Sequence, residues 1–174
     1  MGQSGAQWRV VVPFPTVNIM PSSPEAAQKP LVFSGEFRPV LDGKKRLTIP
    51  SKWRSAALED LFIVKSPDRG CLVAMPLAVL QEKGETAASQ APTVEAHQIF
   101  KDLFFASAVS CPVDSQGRVL LSDELCRFAG IEKEKEVVLA GSGDKFDIWT
   151  PEAWQQRLKA AAAIYNTILK GIGL

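Results

Sequence analysis

The stretch VLDGKKRLTIP at residues 40–50 returns, 72 residues later, as PVDSQGRVLLS at residues 112–122. Each copy has an apolar residue, an aspartate, three turn-forming residues, an arginine and then a strand with alternating apolar side chains. An aspartate at the start of a tight turn accepts hydrogen bonds from the backbone and fixes the turn. The repetition therefore predicts two copies of one β-hairpin unit in a single chain.

The two copies also align beyond the hairpin, at an offset of 75 residues after a three-residue insertion. Residues 62–64 (FIV) correspond to residues 137–139 (VVL), and residues 71–76 (CLVAMP) correspond to residues 146–151 (FDIWTP). Each unit is therefore predicted to contain strand, turn, strand, short helix, strand, loop, strand and helix. The predicted helix N-caps are Ser51 and Ser122, and the predicted helix starts are Pro76 and Pro151.

The chain is predicted to divide into five segments. They are an irregular, proline-rich arm (1–32), the first repeat (33–81), a linker (82–93), a helix with the second repeat (94–158) and a helical tail (159–174). A unit of about 45 residues buries too little surface to be stable alone. Two units related by a pseudo-twofold axis are therefore expected to interleave their hairpins and share one core.

The composition excludes several classes of protein. The 174 residues are 46% hydrophobic and 22% charged, which is typical of a globular domain, and the net charge is +1. A chain with so little net charge binds a polyanion only through a local basic patch. No apolar run is long enough to span a bilayer, so a soluble, cytoplasmic protein is expected. Three scattered cysteines are predicted to be small buried residues, namely Cys71, Cys111 and Cys126.

An enzyme is not expected from this sequence. The chain has no nucleophile elbow and no glycine-rich phosphate loop, and His97 is its only histidine. No cysteine or carboxylate set stands around His97 at metal-ligand spacing. A surface or packing role is predicted for His97, with no metal and no cofactor.

The duplicated motif and its flanks contain a set of residues at specific spacing. They are Gly35-Glu36-Phe37, Leu41-Asp42, Lys44, Arg46-Leu47, Ile49-Pro50, Lys52-Trp53-Arg54, Asp114, Gly117-Arg118, Glu136-Val137-Val138-Leu139, Gly141 and Lys145-Phe146-Asp147-Ile148-Trp149. Over about residues 33–157, this pattern resembles the MraZ family. The resemblance implies an AbrB-like swapped-hairpin β-barrel. The fold is accordingly predicted to be mostly β with short helices (α+β), built as a pseudo-twofold double repeat.

The resemblance also implies a function. Proteins of this family are DNA-binding transcription regulators of the bacterial division and cell-wall gene cluster. They assemble into homo-oligomeric rings and bind direct repeats in promoter DNA, which makes this chain an expected nucleoid-associated protein. The resemblance implicates the arginine of the first copy, Arg46, in DNA contact.

The turn of the first copy departs from the family pattern. Lys45 stands where the family usually has glycine, which the second copy keeps as Gly117. Glycine would allow a positive φ angle at this position. Lys45 therefore either bears a modest strain or marks a different turn, and it adds a charge at the tip.

The two copies differ in charge. Residues 36–54 have a net charge of +4, whereas the equivalent residues 108–126 have a net charge of −2. Contacts from lysine and arginine to phosphate supply most of the non-specific affinity for DNA. The first repeat is therefore predicted to contact DNA, through Arg38, Lys44, Lys45, Arg46, Lys52 and Arg54.

Other interpretations of these residues stay open. Arg46 could merely pair with Asp42, and Lys52 and Arg54 could form a solvated helix face. Four residues of the two motifs are predicted to be turn architecture, namely Asp42, Asp114, Gly117 and Arg118. Trp53 is predicted to be a core or interface aromatic.

The second copy has an apolar residue, Leu120, at the outward position that Thr48 holds in the first. An apolar residue there suggests a face covered by a neighbouring subunit. A protein-interaction scaffold or antitoxin-like module of the same fold is the alternative function.

Overall fold

The structure is a computed structural model, and it describes residues 32–54 and 58–173. Residues 1–31 of the predicted arm lie outside this range. In chain order the described elements are β1 (Glu36–Phe37), β2 (Arg46–Thr48), β3 (Asp60–Ser66), β4 (Cys71–Met75), α1 (Leu77–Ser89), α2 (Val94–Ser107), β5 (Val109–Pro112), β6 (Arg118–Leu120), α3 (Asp123–Ala129), β7 (Val138–Gly141), β8 (Phe146–Trp149) and α4 (Pro151–Gly171). A 3₁₀ turn at Ser51–Trp53 follows β2.

Six strands form one antiparallel sheet in the order β1-β7-β8-β4-β3-β5. Strands β1, β3 and β4 of the first repeat correspond to β5, β7 and β8 of the second. The order is therefore unchanged when the repeats are exchanged, and the pseudo-twofold axis passes between β4 and β8, where Leu72 lies opposite Ile148. Because β1 pairs with β7 and β5 pairs with β3, the first strand of each repeat extends the hairpin of the other.

The predicted mixed α+β class is confirmed, but two parts of the prediction differ from the structure. The helices are longer than expected, and α4 alone has 21 residues. Within the described residues the six-stranded sheet is open and does not close into a barrel, since its edge strands β1 and β5 do not pair with each other. None of the helices described is long and apolar enough to cross a membrane.

The central strand β4 is buried along its whole length and is apolar on both faces, because the sheet is covered on both sides. Successive side chains of a strand point to opposite faces. Ile63 and Leu72 accordingly join one buried cluster, while their neighbours Val64 and Val73 join the other. The first cluster lies under the β2 and β6 strands and α3, and the second lies under α1, α2 and the first turn of α4.

A group of aromatic rings joins the two repeats within the first cluster. Trp53 is 1% exposed, and its ring centroid lies 5.5 Å from Phe33, 4.9 Å from Phe37 and 5.0 Å from Phe146. The Trp53 indole Nε1 donates a hydrogen bond to the carbonyl oxygen of Ser34 at 3.0 Å. The predicted core role of Trp53 is thereby confirmed, and Phe146 brings the second repeat into the same packing unit.

The segment predicted as a linker, residues 82–93, is helical as far as Ser89. The polar residues of this segment favoured a linker in the prediction, but its alanine residues favour a helix. Helices α1 and α2 then pack against each other at Gly84, where an added Cβ would come within 2.6 Å of the Phe105 ring. Glycine at this position permits the close approach of the two helices.

The predicted helix starts are partly correct. Ser122 is the N-cap of α3, and its hydroxyl accepts a hydrogen bond from the backbone N–H of Leu125 at 3.2 Å. The prediction for Ser51 is wrong, because it lies inside the 3₁₀ turn and the preceding proline is the N-cap. Pro76 is the N-cap of α1, and Pro151 is the first residue of α4.

The histidine and the cysteines have packing roles, as predicted. The Nδ1 atom of His97 lies 2.9 Å from the carbonyl oxygen of Ala88, where α1 approaches α2. Cys71, Cys111 and Cys126 are buried and unpaired. Burial raises the pKa of the Cys71 and Cys111 thiols to about 11, so neither is a ready nucleophile at neutral pH.

Candidate nucleic-acid interface

The two copies of the duplicated motif meet in a two-stranded antiparallel ribbon, β2–β6. Its register pairs Arg46 with Leu120, Leu47 with Val119, and Thr48 with Arg118. The central pair is 0% and 1% exposed, so it anchors the ribbon to the first cluster. The opposite side, called the ribbon face below, carries the side chains of Arg46, Thr48, Arg118 and Leu120. Residues from both repeats therefore share one surface.

The aspartate of each copy organises its turn in the same way. The Oδ1 atom of Asp42 accepts hydrogen bonds from the backbone N–H groups of Lys44, at 2.8 Å, and Arg46, at 2.9 Å. The Oδ1 atom of Asp114 accepts the two equivalent bonds in its own turn, both at 2.9 Å. Each carboxylate thus satisfies two backbone donors and still has its Oδ2 atom for an arginine.

Both carboxyls should contribute to a pH dependence of stability. The backbone N–H of Arg46 lowers the pKa of Asp42, and the guanidinium of Arg118 lowers the pKa of Asp114. A carboxyl whose pKa is lower in the folded than in the unfolded state stabilises the fold above its unfolded pKa, and that contribution is lost as the pH falls. We therefore expect the free energy of unfolding, measured by urea denaturation, to decline below about pH 4. Asp114→Asn should make the decline shallower; an equally steep decline would contradict this assignment.

The two arginines of the ribbon face use their donors differently. Arg46 donates from Nε to Oδ2 of Asp42 at 2.6 Å, and its two terminal amino groups make no hydrogen bond to a residue that the structure describes. Arg118 donates to Oδ2 of Asp114 from Nε, at 2.9 Å, and also from Nη2, at 2.7 Å. Pairing with Asp42 is therefore compatible with ligand binding by Arg46. The outer edge of the Arg46 guanidinium, formed by its two terminal amino groups, has the donor geometry that suits a phosphate or a guanine.

Lys45 adopts the same turn conformation as the glycine of the second copy. Its φ angle is 61°, and that of Gly117 is 75°. A left-handed conformation costs an L-residue about 1–2 kcal/mol, so Lys45 bears strain and does not mark a different turn. Its ammonium group pairs with the carboxylate of Asp123 at the first turn of α3, and the Asp123 side chain is 72% exposed.

Arg38 and Lys52 lie apart from the ribbon face in the structure. Arg38 follows β1 and pairs with two carboxylates, Glu36 at 2.7 Å and Glu136 at 3.2 Å. Lys52 is exposed on the 3₁₀ turn. The positive charge of Arg38 is largely offset, whereas Lys52 faces solvent.

Arg54 reaches the turn of the other repeat. Its Nη1 atom donates to the carbonyl oxygen of Gln116 at 3.0 Å. The Arg54 side chain covers Gly117 so closely that an added Cβ would overlap it. A cation that belongs to the first repeat in sequence thus supplies positive charge at the second turn in space.

One basic residue near these turns, Lys133, was not predicted from the sequence. A hollow of about 280 Å³, called the basic hollow below, is lined by Lys44, Lys45, Leu120, Leu121, Ser122, Asp123 and Lys133. Lys133 lies in the stretch EKEKE, residues 132–136, where alternating charges do not distinguish one lysine from another. Only the folded chain places it beside the first turn.

Relatives of this chain align over nearly their whole length. A "Transcriptional regulator MraZ" of Symbiobacterium thermophilum is 34% identical over 139 residues, which cover 80% of this chain and 99% of the relative. A protein of the same name from Leuconostoc citreum is 38% identical over 143 residues, which cover 81% of this chain and 96% of the relative. The chain belongs to the MraZ family. The family model described as MraZ protein and antitoxin-like matches residues 104–167, which hold most of the second repeat.

Membership in the MraZ family confirms the resemblance found in the sequence. The name that these relatives carry describes a regulator of transcription, which is not a class of enzyme. Among the residues with a described position, no group of three or more histidine, cysteine, aspartate or glutamate side chains could hold a metal ion.

Proposed function

We propose that this MraZ protein is a DNA-binding regulator of transcription that contacts promoter DNA through the ribbon face and the basic hollow. The guanidinium of Arg46 carries the proposal. Asp42 orients it through Nε, yet its outer edge faces away from that bond. An arginine that is already oriented loses less conformational freedom when it binds a phosphate or a guanine.

The shape of the ribbon suits the major groove. That groove admits a two-stranded β-ribbon, and buried Leu47 and Val119 hold this ribbon against the core. The lysines of the basic hollow, Lys44, Lys45 and Lys133, then lie where they can contact phosphates beside the groove. Arg54 extends the basic surface at the second turn. Lys52 adds an exposed cation on the 3₁₀ turn, and Arg38 contributes least because of its two carboxylate partners.

We further infer that the protein acts as a homo-oligomeric ring on direct repeats in the promoter of the division and cell-wall gene cluster, as a cytoplasmic, nucleoid-associated protein. The family resemblance implies these details. Exposed apolar side chains support self-association: Ile164, Tyr165 and Ile168 of α4 are 59–66% exposed. Apolar side chains on one face of a helix favour packing against another helix. Several linked copies on repeated sites would raise the overall affinity for the promoter.

The carboxylate beside Lys45 should weaken DNA binding. Asp123→Asn is expected to bind duplex DNA about two- to fivefold more tightly, because it removes a negative charge at the edge of the basic hollow. Fluorescence anisotropy at two salt concentrations would measure the gain, which should shrink at the higher salt because exposed charges are screened. Asp102→Asn, an exposed carboxylate change on α2, is the matched control. A gain of the same size in the control would indicate a general charge effect.

A gel shift tests the proposed function directly. The probe is duplex DNA from upstream of the operon that contains the chain's own gene, and the competitor is random duplex of equal length at physiological salt. We expect a clear preference for the upstream DNA. Equal binding to the two duplexes would refute sequence-specific regulation by this protein.

A second candidate function is a protein-interaction module of the same fold. The description of the matching family model as antitoxin-like favours it. Such a module would bind a protein partner more tightly than DNA. In the gel shift it would bind the upstream duplex and the random duplex equally. Pull-down with a tagged full-length chain would then identify the partner.

A further inference from the structure

We propose that Leu120 determines part of the DNA sequence preference. Its side chain would contact the 5-methyl group of a thymine next to the phosphate or guanine that Arg46 binds. The proposal rests on the proposed function, since it requires the ribbon face to enter the major groove. It assigns to the second repeat a role in base recognition that its acidic composition did not indicate.

The position of Leu120 supports this role. It lies directly opposite Arg46 in the ribbon register and is 60% exposed. Side chains of a directly opposed pair stand about 5 Å apart at Cβ. A ligand that meets the outer edge of the Arg46 guanidinium therefore also meets the Leu120 side chain.

The surroundings of Leu120 make an apolar contact selective. It lines the basic hollow, where three lysines outnumber the single carboxylate of Asp123, so the one large exposed apolar side chain on the ribbon face lies in net positive surroundings. Lysine side chains would hold the flanking phosphates and keep the duplex against this surface. In the major groove thymine alone among the four bases presents a methyl group. An apolar side chain there discriminates in favour of thymine.

The two ends of the ribbon face, which the pseudo-twofold axis relates, differ in their side chains. The equivalent of Leu120 is Thr48, which lies opposite Arg118, and Arg118 uses two of its nitrogen atoms on Asp114. One end of the ribbon face thus has an open arginine beside a leucine, and the other has a more fully paired arginine beside a threonine. A face with two unlike ends favours one direction on the duplex and matches a non-palindromic site.

The test removes the thymine methyl from the DNA and the apolar side chain from the protein. The duplex from upstream of the chain's own operon is synthesised with thymine and, separately, with deoxyuridine at every thymine position. Wild type, Leu120→Ser and Leu103→Ser are titrated with both duplexes by fluorescence anisotropy. Leu103 is 67% exposed on α2, which makes it a control for the loss of an exposed leucine.

Wild type and Leu103→Ser should bind the thymine duplex about two- to fivefold more tightly per contacted methyl group, whereas Leu120→Ser should bind the two duplexes equally. The wild type could prefer its upstream DNA to random DNA and yet bind the thymine and deoxyuridine duplexes equally. That result would overturn the role of Leu120 and leave the proposed function intact. A thymine preference retained by Leu120→Ser would also overturn that role. Loss of oligomers on a sizing column in Leu120→Ser would instead identify Leu120 as a subunit contact. Absence of any preference for upstream over random DNA would refute the proposed function itself.

Discussion

Arg46→Ala is expected to weaken binding to the upstream duplex by about 10- to 100-fold, the range for loss of one bidentate arginine contact. The dependence of affinity on salt should also become shallower, by about one unit per lost phosphate contact in each engaged subunit. The physical reason is the open outer edge of the Arg46 guanidinium, which Asp42 holds in place through Nε at 2.6 Å. Anisotropy titrations at several salt concentrations give both quantities.

The pseudo-twofold axis supplies a matched control in Arg118→Ala. This variant also loses an arginine–aspartate pair in an equivalent turn, so its cost to stability should be at least as large. Its loss of DNA affinity should be smaller, because Arg118 already donates two hydrogen bonds to Asp114. If the two variants lose the same affinity and the same stability, Arg46 has no role beyond its turn.

Trp53→Ala is expected to lower the free energy of unfolding by about 3–5 kcal/mol, the usual cost of truncating a buried tryptophan. The change empties the space between Phe33, Phe37 and Phe146, and it leaves the carbonyl oxygen of Ser34 without its donor. Total stabilities of domains are only about 5–15 kcal/mol. The variant should therefore unfold at a much lower guanidinium concentration.

Trp53→Phe is the conservative comparison for this site. It keeps an aromatic ring among its neighbours and removes one hydrogen bond, so the expected loss is about 1–2 kcal/mol. Guanidinium denaturation followed by far-ultraviolet circular dichroism would compare the three proteins. A midpoint for Trp53→Ala close to that of the phenylalanine variant would show that the aromatic group does not join the repeats energetically.

The parts of the fold that local chemistry determines were predictable. An aspartate, three turn residues and an arginine specify a turn within five positions, and both turns have matching hydrogen bonds around Asp42 and Asp114. The alternation of Leu47 and Ile49 with polar neighbours likewise placed the correct face inward. In these cases the residues that interact are close together in the sequence.

The parts that depend on distant partners were not predictable. The position of Arg54 over Gly117 and the position of Lys133 beside Lys44 follow from the packing of the two repeats. The charge of residues 36–54 and 108–126 therefore counts Arg54 with the first repeat and leaves Lys133 out. The length of α1 and the open sheet were not predicted for the same reason. The packing partner of a helix and the edge of a sheet both depend on residues that are far apart in the sequence.

The exchange of strands between the repeats also affects how the chain folds during synthesis. Each strand of the first repeat has a partner in the second: β1 pairs with β7, β2 with β6, β3 with β5 and β4 with β8. The last of these partners ends at Trp149, well after Met75 has been made. At about 5–20 residues per second, the first half of a nascent chain waits several seconds on the ribosome for these partners, and until then β3 and β4 can pair only with each other. Aggregation or chaperone binding therefore competes with folding until the second half emerges.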